Sequence, residues 1–275
     1  MTTSLQLIEL TRPDHPLLRF ILRNAPGTYQ HSLQVSNLAE QAAERIGANA
    51  MLTRVGALYH DCGKALHPQF FVENQLDGGN VHDLLAPAES ARIIIGHVRD
   101  GVDMARKHRL PTAVRAFVTE HHGSLRTMYQ YKRAIEAAGG DARQVDPALF
   151  TYPGPRPQSR ETALLMLADG CEAKARSDRP KEEVDLDRIV KSVIDDRLAN
   201  GQLDDTALTL QDLQTIRESF VSTLKGIFHP RLRYPEERPA LAAPLLDPVP
   251  APQPALPPAP PPPETLLPKS PEQAA

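Results

Sequence analysis

Several histidines and aspartates of the 275-residue chain occupy positions where an amphipathic helix would place apolar side chains. His31 continues an apolar stripe with Val35 and Leu38, and His97 follows Ile93 by one helical turn. Burying such a polar group without a partner costs roughly 2–7 kcal/mol, so a whole set of them needs a common explanation. The set comprises His31, His60, Asp61, His97, His121, His122 and Asp169.

Metal coordination is one explanation for this set. Neutral imidazole and carboxylate ligands suit divalent Fe, Mn, Zn or Co, and the helices of a bundle can aim them at one interior point. Asp61 directly follows His60 and can offer one oxygen to each of two ions. Two ions about 3.5–4 Å apart would hold a hydroxide and bind a phosphoryl group for in-line attack. A single buried histidine is more often a hydrogen-bonded core residue, and spacing alone leaves that alternative open.

The elements that must position these residues are helices. Apolar residues recur every three or four positions, and alternating strand patterns are absent from the sequence. Thr209 is placed as an N-cap and Gly201 as a C-cap, and Gly139–Pro157 is rich enough in Gly and Pro to predict a loop. The predicted helices are Gln30–Ile46, Met51–His60, Ala88–Lys107, Thr112–His122, Arg160–Arg176, Leu186–Asn200 and Leu210–Phe228. We therefore expect one all-α domain over residues 1–238.

The C-terminal residues 239–275 have a different composition. They hold more than half of the 27 prolines and read PVPAPQPALPPAPPPP where proline is densest. Proline fixes φ and removes a backbone donor, so this segment is predicted to be a disordered, Pro-rich tail. A spacer or plain disorder is favoured over a ligand for a proline-binding partner, because such composition is common without a partner.

Composition excludes several classes of protein. The formal net charge of -3 argues against a chain that coats DNA, RNA or an anionic membrane. The two cysteines, Cys62 and Cys171, are too few and too far apart for a disulfide scaffold, which favours the reducing cytoplasm. No apolar run is long enough to predict a membrane span, and no charged-then-apolar leader opens the chain.

The order of these residues and their surroundings resembles a known family. Similar motifs include GTYQHSLQVSNLAE (27–40), HDCGK (60–64), FFVENQ (70–75), EHHG (120–123) and YPGPRPQSRETALLMLADGCEA (152–173). They resemble the HD-domain metal-dependent phosphohydrolases, and among these the cytoplasmic HD domain of the seven-transmembrane PgpH-type cyclic-di-AMP phosphodiesterases. The resemblance runs from about Leu5 to Pro235 and implies an HD-domain helical bundle. The family is tethered through an upstream membrane segment that this sequence does not contain.

The resemblance implies a role for each matching residue. One divalent ion would be held by His31, His60, Asp61 and Asp169, and a second by Asp61, His97, His121 and His122, with Fe or Mn expected. Asp61 and Lys64 are the expected catalytic residues, and Lys64 would lie near the phosphate. Arg156 and His82 are further candidates for substrate contact, although Asp83 beside His82 could simply cap a helix. Glu172 is equally compatible with a hydrogen bond to a ligand and with a solvated carboxylate.

The implied function is hydrolysis of cyclic di-AMP to 5′-pApA by attack of a metal-bridging hydroxide. Cyclic di-GMP is a rival substrate, but the HHExxDGxGYP signature of the branch that cleaves it is absent after His122. A phosphohydrolase acting on dNTPs or guanosine tetraphosphate is a second alternative. A non-catalytic nucleotide-binding HD signalling module is a third, although such modules usually lose several ligands. A homodimer remains open.

Overall fold

A computed structural model describes residues 2–75, 80–180 and 182–228. Over these residues the chain forms α-helices joined by short turns and 3₁₀ segments, without a β-strand; one isolated bridge pairs Arg126 with Thr151. The all-α prediction is confirmed. The helices are α1 (Ser4–Leu10), α2 (Pro16–Asn24), α3 (Pro26–Arg45), α4 (Ala50–Tyr59), α5 (Pro87–Lys107), α6 (Thr112–Glu120), α7 (Met128–Ala137), α8 (Arg160–Asp178), α9 (Glu183–Ala199) and α10 (Leu210–Phe228).

Both predicted caps are present. The Thr209 hydroxyl accepts a hydrogen bond from the Asp212 N–H at 3.1 Å, which satisfies a free donor in the first turn of α10. Gly201 follows α9 with φ of 64°, a left-handed conformation that glycine adopts without steric cost. All seven predicted helices are observed, with ends that differ by a few residues.

Three helices were not predicted: α1, α2 and α7. Each has ten residues or fewer, so apolar residues can recur over fewer than three helical turns. A local signal for α1 was nonetheless available, because Thr3 and Gln6 form a reciprocal capping box. The predicted loop Gly139–Pro157 contains two short 3₁₀ segments, Ala142–Gln144 and Pro147–Phe150, which only turn chemistry could have indicated.

The larger apolar cluster is built around α8. Its segment 163–168 is completely buried and packs with α3, α9 and α10. From α10, Ile216, Phe220 and Leu224 point into this cluster with no exposed surface. Burial of each such side chain contributes about 1.5–3 kcal/mol. The α10 stripe therefore stabilises the core of this chain, as its spacing indicates.

A second apolar cluster holds α4 in place from the other side. It combines α1, α2, α4 and α6, with Leu17, Ile21 and Tyr59 among its buried members. The Tyr59 hydroxyl donates to the Leu10 carbonyl at 2.8 Å, which satisfies its polar end. Since α4 also gives Ala57 to the larger cluster, the chain that leaves α4 at His60 is fixed by both.

The Pro-rich tail lies outside the described residues. The chain divides into two units, Met1–Pro230 and Arg231–Ala275, and the described structure belongs to the first. The boundary at residue 238 and the disorder of residues 239–275 stay predictions. None of the helices within the described ranges is long and apolar enough to cross a bilayer.

Candidate metal centre

Five helices deliver the seven candidate ligands to one place. His31 lies in the second turn of α3, His97 in the middle of α5 and Asp169 in the middle of α8. The pair His60-Asp61 directly follows α4, and the pair His121-His122 directly follows α6. A helix end lets two consecutive side chains turn toward the same point, which the interior of a helix does not allow. This explains why the two adjacent pairs occur where their helices stop.

A close backbone approach brings α5 against the turn that carries Asp61. A Cβ atom on Gly63 would lie 2.0 Å from the His97 carbonyl oxygen, so only glycine fits at this position. The buried thiol of Cys62 contacts the Gly101 carbonyl oxygen at 3.4 Å on the same face of α5. Burial raises the pKa of the Cys62 thiol to about 12, so it stays protonated and packs as a small apolar residue.

The seven residues form two neighbouring groups of potential ligand atoms. We call them the His31 group (His31, His60 and Asp169) and the His97 group (Asp61, His97, His121 and His122). Within each group the ligand atoms lie within 4.8 Å of one another, the reach of a single ion's coordination sphere. The His97 group is the set that the family resemblance implied for one ion, and the His31 group is the set implied for the other ion without the shared Asp61. Their role as ligands stays a prediction, but the structure brings all seven together.

Asp61 faces both groups with different oxygens. Its Oδ2 lies 3.2 Å from His60 Nε2 and 3.6 Å from His31 Nε2, in the His31 group. Its Oδ1 lies 3.3 Å from His97 Nε2 and 3.5 Å from His121 Nε2, in the His97 group. A carboxylate placed in this way can bridge two ions, one on each oxygen.

Four of the five histidines are oriented by a hydrogen bond on the ring nitrogen Nδ1. A bond on Nδ1 leaves Nε2 free to act as a ligand, the usual arrangement around protein-bound metals. The Nδ1 contacts are His31 to Glu172 Oε2 at 2.6 Å, His60 to the Ala57 carbonyl at 2.7 Å, His97 to the Ile94 carbonyl at 2.5 Å and His121 to the Val118 carbonyl at 3.0 Å. Glu172 therefore holds the ring of a candidate ligand and is buried, so it is not a solvated carboxylate.

Three buried polar atoms of this cluster make no hydrogen bond of good geometry to the described residues: His31 Nε2, His60 Nε2 and Asp61 Oδ1. Leaving a buried donor or acceptor unsatisfied costs about 1–3 kcal/mol each. Because all three point into the two groups, the donor set fits divalent metal ions. His/Asp ligation of this kind suits such ions by charge and by ligand type.

The electrostatics of the cluster also favour cations. Burial lowers the pKa of His121 and His122, which keeps both imidazoles neutral and able to donate a lone pair. Burial opposes ionisation of Asp61, but His60 and Lys64 outweigh it and hold its pKa well below the usual range. Burial likewise opposes protonation of His31, but Asp169 and Glu172 raise its pKa to about 10. An ion bound at His31 would therefore displace a proton.

Lys64 lies beside the bridging carboxylate. Its Nζ is 2.7 Å from Asp61 Oδ2 and 3.0 Å from Glu73 Oε1, and its side chain is 15% exposed. Burial disfavours the charged amine, but Asp61 and Glu73 outweigh this effect and raise its pKa above the ordinary value. Lys64 therefore stays a cation at the edge of the cluster, as its expected place near a phosphate requires.

The sequence around these candidate ligands matches known proteins. Residues 28–174, which include all seven candidate ligands, match the HD domain family. The chain belongs to the HD-domain family. It is 44% identical over 234 residues to the cyclic-di-AMP phosphodiesterase PgpH of Bacillus subtilis, covering 85% of this chain and 32% of that protein. It is 42% identical over 238 residues to the Listeria monocytogenes PgpH, covering 86% of this chain and 32% of that protein.

A solved structure matches this HD domain as well. The crystal structure of the L. monocytogenes PgpH HD domain in complex with cyclic-di-AMP has a TM-score of 0.75 and 41% sequence identity. The match covers 78% of this chain and 99% of that one. The HD-domain fold and the resemblance to PgpH are thereby confirmed. The chain spans about a third of the length of the curated relatives it matches.

The structure places Arg156 among acidic partners in this HD domain. Its guanidinium donates to the Gly201 carbonyl at 2.7 Å, to Asp204 at 3.2 Å and to Asp205 at 3.0 Å. These contacts tie the loop before α8 to the turn after α9. A substrate role for Arg156 stays a prediction, and the observed contacts support a structural role.

His82 is likewise engaged inside the fold. Its Nε2 contacts the Phe70 carbonyl at 2.6 Å and its Nδ1 contacts the Ser90 hydroxyl at 2.8 Å, so both ring nitrogens have partners. Its assignment to substrate binding stays a prediction, and its contacts support a structural role. The alternative that Asp83 caps the following helix is wrong, because the N-cap residue of α5 is Ala86 and no side chain caps that helix.

Three residues of the site were not singled out from the sequence: Phe71, Glu73 and Tyr152. The Tyr152 ring stacks on His122 with centroids 4.2 Å apart, and Phe71 meets His97 edge-on at 5.7 Å. Glu73 pairs with Lys64. All three lie in the motifs FFVENQ and YPGPRPQSRETALLMLADGCEA, but spacing alone does not show that loops return to the ligands.

Proposed function

We propose that this HD domain is a metal-dependent phosphodiesterase that hydrolyses cyclic di-AMP to 5′-pApA with two divalent ions, Fe or Mn. The observation that carries the proposal is Asp61, whose two oxygens face two complete groups of ligand atoms. The relatives support the substrate, since two carry the name cyclic-di-AMP phosphodiesterase and a solved HD domain was obtained with cyclic-di-AMP.

Each residue of the cluster has a role in this proposal. Asp61 would be the shared ligand, and His31, His60, His97 and His121 would use Nε2 as the ligand atom because their Nδ1 atoms are occupied. Two bound ions would activate a water and polarise the non-bridging oxygens of the scissile phosphate. Lys64 adds a fixed positive charge beside Asp61, where charge develops on the phosphoryl oxygens.

The aromatic residues limit access of water to the His97 group. Tyr152 and Phe71 are 8% and 7% exposed, and both rings contact His97. A drier environment strengthens the attraction between Lys64 and a phosphate oxygen, because less solvent screens the two charges. The phosphodiester would thus meet a positively charged, partly enclosed site.

The alternatives make different predictions for the same cluster. A non-catalytic module needs no complete ligand set, whereas all seven residues converge here. Cyclic di-GMP, dNTPs and guanosine tetraphosphate would use the same two ions, so only substrate preference separates them. The cytoplasmic location, the membrane tether upstream of this sequence and the homodimer stay predictions.

The decisive experiment offers cyclic di-AMP and cyclic di-GMP side by side to the Mn²⁺-loaded protein and identifies products by mass. We expect preferential conversion of cyclic di-AMP to 5′-pApA, with the reaction lost after chelation and restored by Mn²⁺. Bound metal without turnover of either dinucleotide would contradict the proposed substrate. In that case dNTPs and guanosine tetraphosphate are tested next.

A further inference from the structure

The segment that follows Phe71 is anchored to the beginning of α3. The Thr28 N–H donates to Asn74 Oδ1 at 3.1 Å, and Asn74 Nδ2 donates to the Thr28 hydroxyl at 2.8 Å. A Cβ atom on Gly27 would lie 1.8 Å from the Glu73 carbonyl oxygen, so the close approach depends on glycine. Since His31 lies three residues after Thr28, this contact joins the segment to the helix that carries a candidate ligand.

Glu73 projects from this anchored segment to Lys64. Its Oε1 accepts from Lys64 Nζ at 3.0 Å and from the Thr28 hydroxyl at 3.2 Å. The Glu73 side chain is 6% exposed, so its charge is buried and both hydrogen bonds stabilise it. The Phe71 ring lies under the same ammonium, with Nζ 5.2 Å from the centroid. Lys64 is thus held by an anion and a ring that belong to neither ligand group.

This arrangement matters because lysine is a flexible side chain with a point charge. Among the described residues, the other carboxylate in contact with Nζ is Asp61, whose Oδ2 also faces the His31 group. With Asp61 as its one anionic partner, the ammonium would be drawn toward the bridging oxygen and away from the edge of the site. The carboxylate of Glu73 attracts the ammonium as well, so the ammonium is held between Asp61 and Glu73.

We infer that Glu73 is a positioning residue that holds the Lys64 ammonium where the phosphate must arrive, with Thr28 and Asn74 fixing Glu73 in turn. The inference rests on the proposed function in one respect: Lys64 must act on a phosphodiester. Because Glu73 acts through Lys64, removal of Glu73 should lower activity only while Lys64 is present.

A double-mutant cycle tests this dependence. Wild type, Glu73→Gln, Lys64→Met and the double variant are loaded with Mn²⁺, and kcat and KM are measured with cyclic di-AMP and with bis(p-nitrophenyl) phosphate. We expect Glu73→Gln to lower kcat about 10-fold, because a misplaced charge stabilises the transition state less, with KM changed by less than about 2-fold. In the Lys64→Met background the same change should have no further effect. Equal effects in both backgrounds would overturn the inference.

Three controls separate positioning from general damage. Gln75→Ala alters the same segment, where the Gln75 side-chain amide donates to the Gln69 carbonyl, and should leave kcat at the wild-type value. Bound Mn²⁺ should remain unchanged in Glu73→Gln; loss of metal would overturn the inference, because Glu73 would then act on the ligands. Glu73→Asp keeps the charge and should recover part of kcat.

A measurement without turnover keeps the inference separate from the proposed function. Trace labelling with acetic anhydride, followed by mass spectrometry, reports how freely the Lys64 amine reacts. We expect faster labelling in Glu73→Gln than in wild type and in Gln75→Ala. If wild type cleaves bis(p-nitrophenyl) phosphate but not cyclic di-AMP, the substrate assignment fails and the cycle is still read. If wild type cleaves neither ester, the proposed function fails. The inference is then tested by labelling alone, and equal labelling rates in wild type and Glu73→Gln would overturn it.

Discussion

The His31 group and the His97 group share Asp61 but are built from different surroundings. The His31 group contains the carboxylate of Asp169, and a second carboxylate, Glu172, holds the His31 ring. In the His97 group the rings are held by backbone carbonyls and contact Phe71 and Tyr152. The His31 group therefore has a carboxylate behind one of its rings, whereas the described contacts behind the rings of the His97 group are neutral carbonyls and aromatic rings.

This difference has a consequence for metal binding. Carboxylates in a buried site attract a divalent cation more strongly than neutral imidazoles do, because less solvent screens the charges. A carboxylate on Nδ1 also makes the imidazole a more basic ligand. We therefore expect the His31 group to bind its ion more tightly, and the His97 group to fill second.

The largest effect should come from removing what the two groups share. Asp61→Asn takes the charge from the oxygens that face both groups, so binding of both ions and hydrolysis should fall to background. Metal content by mass spectrometry and the rate of cyclic di-AMP hydrolysis report the two losses. Asp103→Asn, a change at an exposed carboxylate of α5, is the matched control. Wild-type metal content in Asp61→Asn would contradict the bridging role.

Single-ligand variants should separate the two groups. His97→Ala removes a ligand from the weaker group, so about one tightly bound ion per chain should remain. His31→Ala should instead weaken the tighter ion and leave no high-affinity site. Calorimetric titration with Mn²⁺ distinguishes a loss of the second binding phase from a loss of the first. Identical binding curves for the two variants would contradict the expected difference in metal affinity between the two groups.

A third prediction concerns the proton on His31 in the metal-free protein. Because Asp169 and Glu172 raise the His31 pKa from 6.5 to about 10, this group stabilises the fold fully below pH 6.5 and loses its contribution as the pH rises through about 10. The melting temperature of chelator-treated protein should therefore fall across this range. Glu172→Gln removes one carboxylate partner of His31 and should flatten that fall. An equally steep fall in the variant would assign the proton to another group.

The sequence allowed the position of much of this cluster to be predicted, because its candidate ligands stand at helical spacing. Helical periodicity marked His31 and His97 as polar residues on apolar faces, and adjacency marked His60-Asp61 and His121-His122. The structure then brought all of them together. Each ligand side chain is fixed by its own helix, so local pattern and final position agree.

The residues around the ligands were harder to predict. Glu73 reaches Lys64 only because Gly27 and Asn74 let its segment lie against α3, 45 residues away in the chain. Tyr152 reaches His122 from a loop whose Gly and Pro content predicts irregular structure but no direction. His82 also belongs to a His-Asp pair in the sequence, but its imidazole makes structural hydrogen bonds to Phe70 and Ser90. Long-range loop contacts are tertiary information, and a local pattern does not contain them.

The smallest predicted effect concerns the ring that backs the His97 group. If ring packing rather than charge orients His122, Tyr152→Phe keeps the stack and should change Mn²⁺ affinity by less than about 2-fold. Tyr152→Ala removes the stack, so His122 should sample other rotamers and the second ion should bind about 10-fold more weakly, an effect typical of lost support around a ligand. The first binding phase should be the same in both variants, because the Tyr152 ring stacks on His122 of the His97 group. Weakening of the first phase would show that Tyr152 acts on the shared Asp61, and that the two groups do not respond independently.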